Sequence, residues 1–325
     1  MVHGFDTRDH CVYDLDGRPS QISIGALLET MAIAASSHGL AMTSRRRIDV
    51  SETTPTFDVT FMRSADVKPD PLLDCVTRRT VQRRAMNGRP LTQEEKARLE
   101  ASVAPRYRIR WLEGSGTKWR VARLLFLNAK VRLTMPEAYE VHRSIIEWGA
   151  TFSEDRVPAA ALGADAATVR MMKFVMQSWT RVQFFNKFMA GTLLPRIQMD
   201  LLPAIACSAH YLLLDTEPPQ STDDFVAAGR AVQRLWLTFT QLGLSQQPEM
   251  TPVIFGSYVR RGIPFTRDVR VAQMAARVSE RFLPVTGVQG DNVVWMGRIG
   301  RGPVPTSRST RKPLSNLMIE RPISS

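Results

Sequence analysis

The alternation of apolar and polar positions divides the chain into stretches of different period. Residues 1–22 are polar and turn-rich, with Asp16-Gly17-Arg18-Pro19 as a turn signal. Residues 23–38 predict a helix of small residues, from Ile24-Gly25-Ala26-Leu27-Leu28-Glu29 through Ala35, stopping at Gly39. Two strand-like stretches follow, at about 41–49 and at 56–63, where Phe57, Val59 and Phe61 alternate with polar or smaller residues. Val67-Lys68-Pro69-Asp70-Pro71 reads as a linker. A helix is expected over about 71–83. Leu91-Thr92-Gln93-Glu94-Glu95 opens another, with Thr92 as N-cap and Glu95 at the capping-box position. Tyr107 to Leu112 alternates like a strand. From about 117 to 200 the pattern is mostly helical and rich in Met, Phe and Trp, which suits a helical core or dimer face, or else an apolar lid over a flat aromatic ring. Ala204 to Leu214 is apolar and fits a buried strand or a buried helix. Residues 222–242 form the clearest long helix. Val253–Val259 and Val293–Ile299 are strand candidates, and the tail from Pro303 is basic and loop-like.

The pattern echoes itself once. Ile24-Gly25-Ala26-Leu27-Leu28 leads to Gly39-Leu40, and Ala228-Gly229-Arg230-Ala231-Val232 leads to Gly243-Leu244. In both, the same spacing separates the glycines, and a leucine follows the second one. Many helices end at glycine, but the agreement in length, composition and position before a strand favours a duplicated α+β unit.

Composition narrows the function classes. The 325 residues suffice for one large domain or two ordinary ones, and 44% hydrophobic with 23% charged residues is usual for a folded soluble protein. No run of about 18 uncharged apolar residues is present, so no membrane span is expected. The start, Met1-Val2-His3-Gly4-Phe5-Asp6, lacks the basic end and apolar core of a signal peptide. Cys11, Cys75 and Cys207 are odd in number and far apart, matching neither a disulfide framework nor metal spacing, and a reducing, cytoplasmic setting is the natural reading. The net charge is +12, nearly all from arginine. That excess fits either a nucleic-acid-binding surface or convergence of a few arginines on a small anionic cofactor. The arginines are dispersed, Arg45-Arg46-Arg47 being the longest run, which disfavours nucleic acid.

Two segments carry candidate chemistry. In Thr77-Arg78-Arg79-Thr80-Val81-Gln82-Arg83-Arg84, Arg79 and Arg83 share a helical face. Guanidinium groups fork onto phosphate oxygens, and Thr80 adds a hydroxyl donor. In Thr306-Ser307-Arg308-Ser309-Thr310-Arg311-Lys312-Pro313-Leu314, three cations and several hydroxyls sit in a loop able to close over an anion. A solvated basic helix and a disordered basic tail are the alternatives. Gly297-Arg298-Ile299-Gly300-Arg301-Gly302 has the wrong spacing for a dinucleotide-binding glycine loop. No phosphate-binding P-loop, zinc-protease or hydrolase nucleophile motif occurs, and no metal cluster is evident. No catalytic residue can be named.

Taken in order, these pieces resemble the nitroreductase family. The arginine-rich opening is Arg78-Arg79-Thr80-Val81-Gln82-Arg83, followed by Arg89-Pro90-Leu91. The central helix leads from Gly229 to Leu242-Gly243-Leu244, with Ser245 where the family often has a second glycine. The cationic tail is Arg308, Arg311 and Lys312 before Pro313-Leu314. More narrowly, Met135-Pro136-Glu137-Ala138-Tyr139-Glu140-Val141-His142-Arg143, Asp155-Arg156-Val157-Pro158 and Gly229–Leu237 are similar to duplicated nitroreductase-like domains in which one chain holds both halves of a dimer, some of them fused behind an E1-like (ThiF/MoeB-type) adenylating domain. The likeness covers roughly residues 20–315. The family's Pro-Ser-x-x-Asn-x-Gln-Pro-Trp segment is missing after Arg83 and before residue 20, which implies a longer natural protein whose preceding part carries it.

The resemblance implies an α+β, nitroreductase-like fold: a mixed or antiparallel central sheet flanked by helices, pseudo-duplicated with an incomplete first half. Residues 1–66 would be that partial half, and 67–325 the second half with a helical insertion at about 117–200. It implies FMN as cofactor, with Arg78, Arg79, Thr80, Arg83, Arg308, Arg311 and Lys312 contacting it, and NAD(P)H as possible electron donor to an unidentified acceptor. A catalytically degenerate flavin-holding or scaffolding domain with an adenylating partner, fused or separate, is the alternative, and a homodimer is possible under either. A basic nucleic-acid-binding protein is the remaining one.

Overall fold

A computed structural model describes residues 1–319. Its central feature is a four-stranded antiparallel sheet in the order β4 (Tyr107–Leu112), β8 (Ala209–Asp215), β10 (Val293–Gly300), β9 (Ser245–Pro248). A smaller antiparallel sheet has the order β1 (Val2–His3), β3 (Thr56–Arg63), β2 (Leu40–Arg46). The chain is thus α+β, helices packing on antiparallel sheets, as the apolar pattern predicts.

The central strands are apolar on both faces because both faces are covered. On one side, α4 (Ser115–Thr134), α11 (Thr251–Arg261) and α12 (Val269–Thr286) pack Val121, Leu125, Phe255, Tyr258 and Phe282 against Leu212 and Met296. On the other, α3 (Gln93–Ala101) and α10 (Thr222–Gln241) pack Leu99, Leu235 and Phe239 against Tyr211, Leu213 and Ile299. The apolar run at 204–214 resolves accordingly into the short helix α9 (Leu202–Ile205) and the buried strand β8.

Local chemistry sets the helix ends. Thr92 caps α3 in a capping box with Glu95, as expected, and Ser221 with Asp224 does the same for α10. Helix α1 (Arg18–Ser36) starts five residues earlier than expected, because Gly17 takes a left-handed conformation and Pro19 fits the first turn. Val253–Val259 is helical in α11, not a strand. Its β-branched residues suggest extension, but Pro252 opens a helix, Gly262 ends it in the left-handed conformation, and Phe255 and Tyr258 then share a buried face. The helix expected over 71–83 shrinks to α2 (Cys75–Arg78). Beyond it the backbone extends, Val81 bridges Gln246 in parallel, and Gln82 N donates to Gln246 O at 2.9 Å, so the edge of the central sheet claims this segment.

Helices α1 and α10 cross at the two echoing glycines. A Cβ added to Gly25 would overlap the Val226 carbonyl oxygen, and one added to Gly229 would overlap that of Ile22. Each glycine therefore lets the other helix's backbone approach. The segment expected as an insertion contains α5 (Pro136–Ile145), the two-residue strands β5 (Ile146–Glu147), β6 (Phe152–Ser153) and β7 (Val157–Pro158), then α6 (Ala166–Val175), α7 (Trp179–Phe188) and α8 (Leu193–Arg196). The tail returns to it, as β11 (Arg308–Ser309) pairs in parallel with β6. No helix among the described residues is long and apolar enough to cross a membrane.

Candidate functional site

The segment after α2 carries Arg79 to Trp236 on α10 and Arg83 to Ala161 and Arg298, so the two do not act as neighbours on one helical face. Trp236 on α10 holds the segment, its Nε1 donating to the Thr80 carbonyl at 3.3 Å. The Arg79 guanidinium lies over the Trp236 ring, 4.1 Å from its centre. Arg79 is half-buried, and its guanidinium has no hydrogen bond or ion pair among the described residues. Burial, and then the nearby Arg311 guanidinium, push it down to about 10.

The tail reaches the same place. Arg308 Nη1 donates to the Thr77 carbonyl at 3.2 Å, and Arg311 Nη1 donates to the carbonyl of Thr310 at 2.8 Å. Two sequence segments more than 200 residues apart are therefore gathered, Arg308 against the Arg78 neighbourhood and Arg311 against Arg79. The remaining expected residues stand aside. Arg78 is exposed and directs Nη2 at Cys75 Sγ, 3.6 Å away, while Lys312 lies 3.8 Å from Asp155. Thr80 offers its carbonyl to Trp236, and its hydroxyl forms no hydrogen bond among the described residues.

Arg83 points into a cavity of about 360 Å³ between the central sheet and the insertion. Its Nη1 donates to the Ala161 carbonyl at 3.3 Å, and burial followed by the Arg298 charge lowers its pKa. The cavity is walled by Leu125, Met172, Met176 and Met199. Its polar side is a buried ionic group that sequence reasoning missed. Glu249 Oε2 accepts from His210 Nδ1 at 2.7 Å, and Glu249 Oε1 accepts from Arg298 Nη1 at 3.0 Å. Burial opposes charge on His210, but Glu249 overrides it and raises the imidazole to about 10. Both ring nitrogens then donate, the second to the Ala204 carbonyl at 2.9 Å. The two cations in turn hold the Glu249 carboxyl below its usual range against the opposing effect of burial.

Three polar atoms of residues lining this cavity are buried without a partner: Arg298 Nε, Asn128 Oδ1 and Gln247 Oε1. An unmade buried hydrogen bond costs about 1–3 kcal/mol, so the wall of the cavity carries unsatisfied polar groups. Across the cavity, Tyr13 O–H donates to His142 Nε2 at 2.9 Å, and burial with the Arg132 charge pushes His142 down to about 3, keeping it neutral. Arg132 itself is neutralised by Asp200, 2.8 Å away. Counting Arg83, Arg298 and His210 against Glu249, the sheet side of the cavity carries excess positive charge.

Sequence reasoning missed Arg298 because it sits in a strand whose glycines draw attention first. It missed Glu249, His210 and Asn128 because isolated polar residues in apolar surroundings carry no spacing signal.

No protein-family model matches the chain, and no curated protein matches it. Solved structures do. A nitroreductase-like family protein from Bacillus cereus is 12% identical, over 78% of this chain and 96% of that one, with a TM-score of 0.38. An FMN-dependent nitroreductase from Mycobacterium smegmatis, in complex with NADPH, is 13% identical over 76% and 96%, with a TM-score of 0.41. A BluB-like flavoprotein from Clostridium difficile is 12% identical over 78% and 100%, with a TM-score of 0.43.

Proposed function

We propose that the chain binds FMN and serves as a nitroreductase-like oxidoreductase, passing electrons from NAD(P)H to an acceptor. The observation that carries this reading is Arg79: a half-buried guanidinium set beside Arg311, with no carboxylate paired to either among the described residues. Like charges are brought together out of water at a cost, and an anion between them removes it.

In this reading Arg79, Arg308 and Arg311 hold the phosphate, with Arg78, Thr80 and Lys312 at its margin. The backbone from Arg79 to Arg83 spans at most about 14 Å when extended, and leads into the cavity. There Arg83 and Arg298 can set positive charge beside the ring's pyrimidine edge, with Asn128 and Gln247 as polar side chains in the wall. Leu125, Met172 and Met176 supply apolar contact to a flat ring and keep water from it. Bound flavin supplies the redox chemistry. The chain's part is to place it and to favour its electron-rich form through Arg83, Arg298 and the His210–Glu249 pair.

The division into residues 1–66 and 67–325 belongs to the same reading. It is supported by the shared strand order of the two sheets and by the reciprocal packing of Gly25 and Gly229. The last six residues of the second unit lie outside the described residues.

Absorption spectra of the purified protein, before and after adding FMN, test the cofactor, and NAD(P)H oxidation then separates a working oxidoreductase from a flavin-holding domain. Arg79→Ala and Arg311→Ala are each expected to weaken FMN binding about tenfold or more, since a charge-assisted hydrogen bond contributes about 1.5–3 kcal/mol. Unchanged affinity in both variants removes the phosphate assignment.

A further inference from the structure

Met172 in α6 and Met176 at its end line the cavity, and α6 and α7 present apolar side chains at the surface. Phe174, Phe184, Phe188 and Met189 are 50%, 53%, 65% and 60% exposed. The rings are continuous. Phe174 meets Phe185 edge-on at 6.3 Å, and Phe184 lies 6.1 Å from Phe185 and 5.1 Å from Phe188. Gly191 N donates to the Phe185 carbonyl at 2.9 Å, folding the Met189 turn onto the same tip, with the half-exposed Leu193 and Leu194 following it. A contiguous apolar patch of this kind marks an interaction surface rather than scattered exposure.

Its charge says what kind. Residues 166–199 contain Arg170, Lys173, Arg181, Lys187 and Arg196 and no Asp or Glu, where 31 acidic residues in 325 would place about three. Arg196 is turned inward onto the Phe126 carbonyl. The other four form no ion pair among the described residues. Two stand at the rings themselves: the Arg181 guanidinium is 4.4 Å from the Phe174 ring centre, and the Lys187 ammonium 5.1 Å from that of Phe188.

We propose that this face docks on an anionic lipid bilayer, with the Phe and Met side chains entering the boundary between headgroups and acyl chains and the four cations meeting phosphate headgroups. Phenylalanine and leucine on one side with Lys and Arg beside them is the composition that binds there. A second copy of the chain fits less well, because a two-fold contact would set these uncompensated cations against their own copies. The proposal does not depend on the flavin reading.

The experiment is cosedimentation with vesicles of phosphatidylcholine, alone or mixed with phosphatidylglycerol. Binding to the mixed vesicles is expected, weakening at least tenfold for Phe184→Ser/Phe188→Ser and for Lys173→Glu/Lys187→Glu. Phe61→Ser on β3 and Arg277→Glu/Arg281→Glu on α12 serve as controls and are expected to bind as the parent does. All substituted side chains are at the surface, and far-ultraviolet circular dichroism checks that the variants are folded. No binding to mixed vesicles overturns the proposal, as does equal binding to neutral ones. Equal weakening by the α12 pair assigns the effect to overall charge and overturns it too. So does sedimentation velocity showing a dimer that Phe184→Ser/Phe188→Ser abolishes.

Discussion

The two sheets repeat one wiring and bury it differently. In each, a strand precedes a helix, a second strand follows that helix, and a third strand pairs antiparallel between them: β1-β3-β2 around α1, and β8-β10-β9 around α10. In the larger sheet, α11 and α12 fill the connection between the second and third strands, and β8 and β10 are almost wholly buried. In the smaller sheet that connection is a short loop, residues 47–55, and the outer parts of β2 and β3 face solvent, with Phe61 and Met62 exposed. Helices on the second face are what allow a strand to hold buried charge. His210 and Arg298 sit in β8 and β10 and share Glu249, whereas the smaller sheet offers α10 mainly surface contacts such as Arg230 to Ser44.

The largest test of this contrast is Glu249→Gln. It leaves His210 and Arg298 as buried cations without their carboxylate, and removing one partner of a buried ionic group costs about 3–5 kcal/mol. Denaturant unfolding measures it. The same variant has a pH signature. His210 is raised in the fold, so its contribution is complete below an imidazole's ordinary pKa of 6.5 and is lost as pH rises toward about 10. Parent stability is expected to fall across that window, and Glu249→Gln to flatten the fall. An unchanged slope would refute a charged His210.

Next in size is the crossing of α1 with α10. Gly229→Ala and Gly25→Ala each push a methyl into a carbonyl of the facing helix, and overpacking of this sort costs about 1–3 kcal/mol. The two melting-temperature losses are expected to be similar, because the contact is reciprocal. A loss in only one would show that the helices can slide apart. Smallest is the pair Gly39→Ala and Gly243→Ala. Both glycines have positive φ, 65° and 67°, with open space around them, so only backbone strain of about 1 kcal/mol is expected in either unit.

Much of the fold is legible from residues. The strand at 56–63, the capping box at Thr92 and the long α10 follow from period and end signals. The echo of spacing between Gly25 and Gly229 is visible too, but that the two glycines meet is not, since spacing carries no sign of contact. What escaped depends on tertiary partners. The residues after Arg78 have a good helical pattern, yet Gln246 draws them into extension. Val253 and Ile254 are β-branched, yet a covering helix was needed on that face of the sheet. For the candidate site, runs of arginine pointed to Arg79 and Arg311, but runs cannot show that Lys312 faces Asp155 or that Arg298, alone among apolar residues, lines the cavity.

The crossing at Gly25 and Gly229 has a consequence for assembly. Facing helices borne on one chain meet at a fixed high effective concentration, whatever the dilution, so the contact of α1 with α10 is expected to survive where a dissociable pair of subunits would come apart. Covalent linkage also breaks symmetry. In a homodimer every substitution is made twice, on both sides of the axis. Here the smaller sheet goes without the covering helices that the larger sheet keeps, and a substitution beside one need not be matched beside the other.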